Sequence, residues 1–209
     1  MTEKSKAQDW ANLNKYKNKN ALLIPSVSEE KRIVFFGDSI ILGWEINDPE
    51  FFTNKKYINR GINGQTTSQM VIRFRQDVVE LKPDMAIVLA GTNDIAENTG
   101  PTTLETILEN LISMCELAKE NNIEVILCSI LPAFDYPWRK EMQPAEKIEA
   151  LNTMILQYAT ANDIAYVNYY SAMADEQKGL KSIYSNDGVH PNKDGYLIMK
   201  SIIESTILM

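Results

Sequence analysis

Ser39, Asp187 and His190 are the residue types from which an activated nucleophile is built. Ser39 lies in "IVFFGDSIILGW" (Ile33 to Trp44), where four apolar residues stop at Gly37-Asp38-Ser39 before apolar character resumes. A strand passing straight into a helix needs only the glycine for its turn. The Asp and Ser are extra polar groups where a sheet edge meets solvent, so they are either a helix cap or a piece of chemistry. A serine hydroxyl is a poor nucleophile until a base takes its proton. His190, the chain's one histidine, is the side-chain type whose ordinary pKa lies nearest neutrality. Asp187 stands three positions before it. On a turn, that spacing lets a carboxylate reach the far ring nitrogen, fix the tautomer and stabilise the imidazolium. The chemistry so described is acyl transfer, which also needs donors for a developing oxyanion. Three are at hand: the backbone N–H of Ser39 at a helix start, that of Gly64, which has no Cβ to block a close approach, and the side-chain amide of Asn93.

Taken singly, each residue has a plainer explanation. Ser39 or Asp38 caps a helix beginning at Ile40, His190 is a surface histidine held by Pro191, and "SNDG" before it is a turn signal. Gly64 is a turn glycine and Asn93 a loop residue. What favours chemistry is that all five fall on one rim, and that depends on the elements carrying them.

Apolar, β-branched runs read as strands at Arg32 to Gly37, Lys55 to Gly61, Asp84 to Gly91, Ile123 to Ile130 and Asp163 to Tyr169. The third and fourth are nearly continuous, as parallel strands covered on both faces must be. Helical spacing marks Thr67 to Leu81, a stretch after Pro101 opened by a Thr-x-x-Glu box at Thr102 or Thr103, Ala145 to Ala161, and a last segment capped by Asn192. An amphipathic helix is expected around Gln8 to Tyr16, in an N-terminal extension (1–30) packed on the outside. This alternation predicts one α/β domain over 1–209, with three layers and a five-stranded parallel sheet. Ligands of such a sheet bind beyond the carboxyl ends of its strands. Those ends carry Gly37-Asp38-Ser39, "RGINGQTT" (Arg60 to Thr67), "GTND" (Gly91 to Asp94), the loop "LPAFDYPWRKEMQPA" (Leu131 to Ala145) and "SNDGVHPNKDGY" with Asp187 and His190.

Composition narrows the partners. A chain of 209 residues buries roughly 70% of its extended surface without staples. Its net charge of -7 repels phosphate backbones, so nucleic acid is an unfavoured partner. No segment approaches a membrane span, and the N-terminal residues lack the apolar core of a signal peptide. A cytoplasmic protein is expected, with an exported form whose leader has been trimmed as the alternative. Cys115 and Cys128 lie in apolar surroundings and read as buried thiols. One histidine and no Cys-His cluster argue against a zinc site.

"GDSI" with Ser39, "GINGQTT" with Gly64, "GTND" with Asn93 and "DGVHP" with Asp187 and His190 resemble, in order, the four blocks of the SGNH hydrolases, also called GDSL-type esterases and lipases. The nearest branch resembles bacterial acylhydrolases related to the catalytic subunit of platelet-activating-factor acetylhydrolase, which share an N-terminal helix and a loop like Pro132 to Arg139. The resemblance implies a flavodoxin-like sheet of order 2-1-3-4-5 and ester hydrolysis through an acyl-serine, with no metal or organic cofactor. It implies Ser39 as nucleophile, His190 as base, Asp187 as its orienting acid, and Ser39, Gly64 and Asn93 as oxyanion donors. Two positions depart from the pattern. Gln65 stands where the family often has Asp, which bears on hydrogen bonding around the Gly64 turn, and Ile40 replaces a Leu.

The loop over 132–145 mixes rings and charge. Asp38, Phe134, Tyr136, Trp138 and Arg139 are the candidates for contact with substrate, though packing within the loop would also account for the rings. Rings beside a charge suit a sugar or other polar alcohol carrying a short acyl group such as acetyl. A lysophospholipase or thioesterase of the same family is the alternative, and a non-catalytic flavodoxin-like binding module stays open, as does a homodimer. Against the binding module, Asp38 sits where a bound phosphate would, and no G-x-G-x-x-G or Walker pattern is present.

Overall fold

A computed structural model describes residues 9–23, 31–55 and 57–207. In chain order it contains α1 (Lys17–Ala21), β1 (Ile33–Gly37), α2 (Ser39–Asn47), α3 (Pro49–Lys55), β2 (Ile58–Gly61), α4 (Thr67–Asp77), β3 (Met85–Leu89), α5 (Thr92–Ile95), α6 (Leu104–Lys119), β4 (Glu124–Cys128), α7 (Pro144–Ala161), β5 (Ala165–Val167), α8 (Tyr169–Met173) and α9 (Lys193–Ile207). Among the described residues the sheet has five strands in the order β2-β1-β3-β4-β5, every adjacent pair parallel. This is the predicted order and layering.

The apolar runs follow from two-sided burial. β1 and β3 are buried along their whole lengths, and successive side chains point to opposite faces. Val34, Phe36, Ala86 and Val88 pack with α4, α6 and α7 on one face. Ile33, Phe35, Ile87 and Leu89 pack with α2, α3, α8 and α9 on the other. In the second layer Trp44 stacks on Phe51 and Tyr196, at 5.1 and 5.7 Å between ring centroids. The Tyr196 hydroxyl donates to the Ile40 carbonyl at 2.8 Å, tying the last helix to the first turn of α2. Cys115 and Cys128 are buried free thiols.

The N-terminal segment departs from expectation. The predicted helix over 8–16 is a run of turns at 9–16, Gln8 lying outside the described residues, and α1 follows it. Its turns are held from outside: Gln69, Gln65 and Gln76 each donate a side-chain N–H to a backbone carbonyl, of Trp10, Ala11 and Leu13 respectively. With its carbonyls taken by α4 and the loop before it, the segment lies as a strap instead of closing its own helical bonds. No helix among the described residues is long and apolar enough to cross a membrane.

Candidate active site

Ser39 is the first residue of α2. Asp38 caps that helix, its Oδ1 accepting the Ile40 N–H at 2.9 Å. The cap position leaves the Ser39 N–H in the first turn, where no carbonyl four residues back can accept it. Ser39 Oγ lies 3.0 Å from His190 Nε2, across 151 positions of sequence.

The histidine comes from the loop before α9. Asp187 Oδ1 accepts the N–H of Val189 and of His190, at 2.9 and 2.8 Å, and its Oδ2 lies 2.7 Å from His190 Nδ1. Ser185 closes the turn, accepting the Gly188 N–H at 2.9 Å and donating to the His190 carbonyl at 2.8 Å. An ionised carboxylate only accepts, so Nδ1 carries the proton and the Nε2 lone pair faces the serine. Burial pushes the Asp187 carboxyl up, but the His190 ring N–H and the two backbone N–H groups outweigh it and hold the pKa at about 2. The imidazole is therefore backed by a full negative charge at any ordinary pH.

Gly64 takes φ +70, a conformation glycine adopts without strain, and lines the cleft at the end of β2. Asn93 sits on α5, which follows β3 and starts after Gly91 at φ +126. Its side chain is buried, with Nδ2 donating to the Gln65 carbonyl at 3.1 Å and to Asp38 Oδ2 at 3.3 Å. Ser39, Gly64, Asn93, Trp138 and His190 line one cleft of about 530 Å³. Its other walls are Leu42, Gly43, Ile46 and Asn47 from α2, Asn63 and Asn98 from the loops, and Pro191 and Tyr196. None of these is among the residues that the sequence marks for contact with substrate. Leu42 and Ile46 stand three and seven positions beyond Ser39, the spacing that puts them on its helical face.

The substrate-contact candidates divide. Trp138 lines the cleft, 45% exposed, with its ring 6.0 Å from that of His190. Asp38 does not face it: the side chain is fully buried and spent on the cap and on Asn93. Burial, more than anything else, pushes its pKa up to about 7. Tyr136 is also fully buried, stacked under Trp138 at 5.1 Å with its hydroxyl 3.1 Å from Thr92 Oγ1, so it supports the loop. Arg139 turns away to Glu97, binding its carbonyl at 3.0 Å and its carboxylate at 2.8 Å. Phe134 is exposed beside a separate hollow that includes Asp187 and Gly188. Gln65, the departure next to Gly64, is buried; it bonds Ala11 and accepts from Arg73.

The profile of the GDSL-like lipase/acylhydrolase family matches residues 35–198. A GDSL-like lipase from Bacteroides thetaiotaomicron superposes with a TM-score of 0.92 at 48% identity, over 94% of this chain and 97% of that one. A structure described as a candidate platelet activating factor of Streptococcus pneumonia aligns with a TM-score of 0.79 at 27% identity, over 93% of this chain and 90% of the other. An uncharacterised lipoprotein of Bacillus subtilis is 33% identical over 85 residues, which span 39% of this chain and only 35% of the lipoprotein. By the extent of the profile match, the chain is a hydrolase of the GDSL-like lipase/acylhydrolase family.

Proposed function

We propose that the protein is a serine esterase that cleaves a short acyl ester, acetyl above all, of a carbohydrate or other polar alcohol. The observation that carries this reading is the line of contacts from Ser39 Oγ to His190 Nε2 at 3.0 Å and from His190 Nδ1 to Asp187 at 2.7 Å. In the proposed cycle His190 takes the Ser39 proton as Oγ bonds to the ester carbonyl carbon. The carbonyl oxygen becomes an oxyanion received by the N–H groups of Ser39, Gly64 and Asn93. Collapse breaks the bond to the alcohol, which leaves with the proton from His190. Water then gives its proton to His190, attacks the acyl-serine, and releases the acid and free Ser39.

The cleft walls support a neutral, hydroxylated leaving group. Asn47, Asn63 and Asn98 offer carboxamides, Trp138 offers a ring face, and no Lys, Arg, Asp or Glu is among the lining residues. A second reading, a lysophospholipase or thioesterase, draws on Leu42 and Ile46, the latter 72% exposed at the cleft edge where a longer acyl chain would run.

A fluorophosphonate probe is expected to add one adduct at Ser39 of the wild type and none in Ser39→Ala or His190→Ala. The absence of any adduct on folded wild type would overturn the esterase in favour of a non-catalytic binding module. p-Nitrophenyl esters from acetate to palmitate, with acetylated sugars alongside, decide between the two acyl readings: the first predicts the highest kcat/KM for acetate.

A further inference from the structure

Asn98 is an exposed residue that touches two of the proposed oxyanion donors and the ring of the cleft at once. Its Nδ2 donates to Asn93 Oδ1 at 2.8 Å and, at a longer 3.4 Å, to the Gly64 carbonyl. Its Oδ1 lies 3.3 Å from Trp138 Nε1. Its own backbone N–H donates to the Asn93 carbonyl at 3.0 Å. We propose that Asn98 is the positioning residue that orients the Asn93 carboxamide for the oxyanion, and that Trp138 sets the orientation of Asn98. This inference rests on the esterase reading.

The direction of the bonds carries the argument. An indole N–H can only donate, so Trp138 demands that Asn98 present its oxygen. The Asn98 amide nitrogen is thereby turned toward Asn93 and demands oxygen from it in turn. Asn93 is left with its nitrogen on the opposite side, facing the Gln65 carbonyl at 3.1 Å and Asp38 at 3.3 Å. A carboxamide with its oxygen toward the oxyanion would repel it, so this polarity is the one catalysis needs.

Both Asn93 N–H groups already have acceptors. When the oxyanion forms, the longer bond to Asp38 is the one released, and the carboxamide pivots between Gln65 on its nitrogen and Asn98 on its oxygen. The donation from Asn98 also polarises the Asn93 amide and strengthens its N–H as a donor. Trp138 belongs to the cleft wall, so the surface that would stack the alcohol is joined by one side chain to the group that receives the oxyanion.

Kinetics on the full chain, with p-nitrophenyl acetate and an acetylated sugar, test this. Removing a whole oxyanion donor costs ~10²–10³ in kcat; losing its orientation costs a part of that. Asn98→Ala is expected to lower kcat about tenfold with KM changed less than about twofold. Asn98→Asp, which cannot donate to Asn93, loses at least as much. Trp138→Phe keeps the ring but not the N–H, so kcat falls about threefold in the wild-type background and not at all further in Asn98→Ala. A kcat within twofold of wild type in both Asn98 variants, or an equal Trp138→Phe effect in both backgrounds, overturns the inference while leaving the esterase intact. Melting curves separate misfolding from lost orientation; should one Asn98 variant not fold, the other decides. A folded wild type inert to every ester and to the fluorophosphonate sinks the esterase reading and this inference with it.

Discussion

A serine in water holds its proton too tightly to attack an ester, so its reactivity is set by what faces it. Here that is an imidazole with its lone pair turned to Oγ by a carboxylate on the far nitrogen. Ser39→Ala is therefore expected to remove turnover to the level that binding alone provides, measured as initial rates on p-nitrophenyl acetate. Asn93→Ala should lower kcat by ~10²–10³ with little change in KM. The pH dependence has a definite sign. Protonation of the imidazole removes the acceptor, whereas Asp187 is held at about 2 and stays charged throughout. So kcat/KM should fall wherever acidification protonates the imidazole, with no separate limb from Asp187. A flat profile would contradict a histidine base. At this scale the sequence was most informative where spacing constrains geometry: three positions between Asp187 and His190 suffice for one carboxylate to hold a backbone turn and a ring nitrogen together. It was least informative about Asp38, Tyr136 and Arg139. Their polar or aromatic types suit a cleft, but burial behind it or pairing with Glu97 is decided by contacts distant in sequence.

Elements were most legible where runs of apolar side chains are covered on both faces. β1 and β3 show unbroken apolar runs because both faces are covered, and α9 announces itself through Asn192, whose Oδ1 accepts the Gly195 N–H at 3.0 Å. Short helices gave no such signal: α3 and α5 have too few residues for a period to register. At α6 the cap is Thr103, accepting the Thr106 N–H at 3.1 Å, so the residue three on is Thr and not the acid of a capping box. The element α4 also bears on the site, through a residue with no catalytic part. Arg73 is fully buried, paired with Asp77 at 3.1 Å. It also donates to the carbonyls of Gly37 and Arg60, at 2.8 and 3.0 Å, and to Gln65. These are the carboxyl ends of β1 and β2 and the loop behind Asn93. Arg73→Ala would strand the Asp77 charge and open the rim, at a cost of about 3–5 kcal/mol, read by urea denaturation. Arg73→Met with Asp77→Leu removes both charges and should recover much of that stability, but not the strut at the rim. The double variant is thus expected to melt close to wild type and still turn over more slowly.

Over the whole molecule, the same burial that organises the rim makes stability depend on pH in an unusual direction. Asp94 lies beneath the site, accepting the Thr67 N–H at 2.9 Å and the Thr67 hydroxyl at 2.6 Å. Burial is the largest influence on it and pushes its pKa up to about 6, against the pull of those donors. Asp38 is pushed to about 7 for the same reason, with Asp94 adding to the rise. A carboxyl whose pKa is raised on folding binds its proton more tightly in the native state. Its contribution is complete below the unfolded value near 3.9 and is lost as pH rises through the folded value. Asp187, held low, acts oppositely, but its window closes between about pH 2 and 4. Between pH 5 and 8 the two buried acids dominate, and a chain of net charge -7 adds self-repulsion of the same sign. The melting temperature is therefore expected to fall as pH is raised from 5 to 8. Asp94→Asn keeps an oxygen for Thr67 and removes the titration, so its melting curve should be flatter across this range than that of the wild type. A wild-type melting temperature that climbs from pH 5 to 8 would mean that the donors around Asp94 outweigh its burial. The Thr67 N–H and hydroxyl at the start of α4 would then be held by an ionised carboxylate and not by a protonated one.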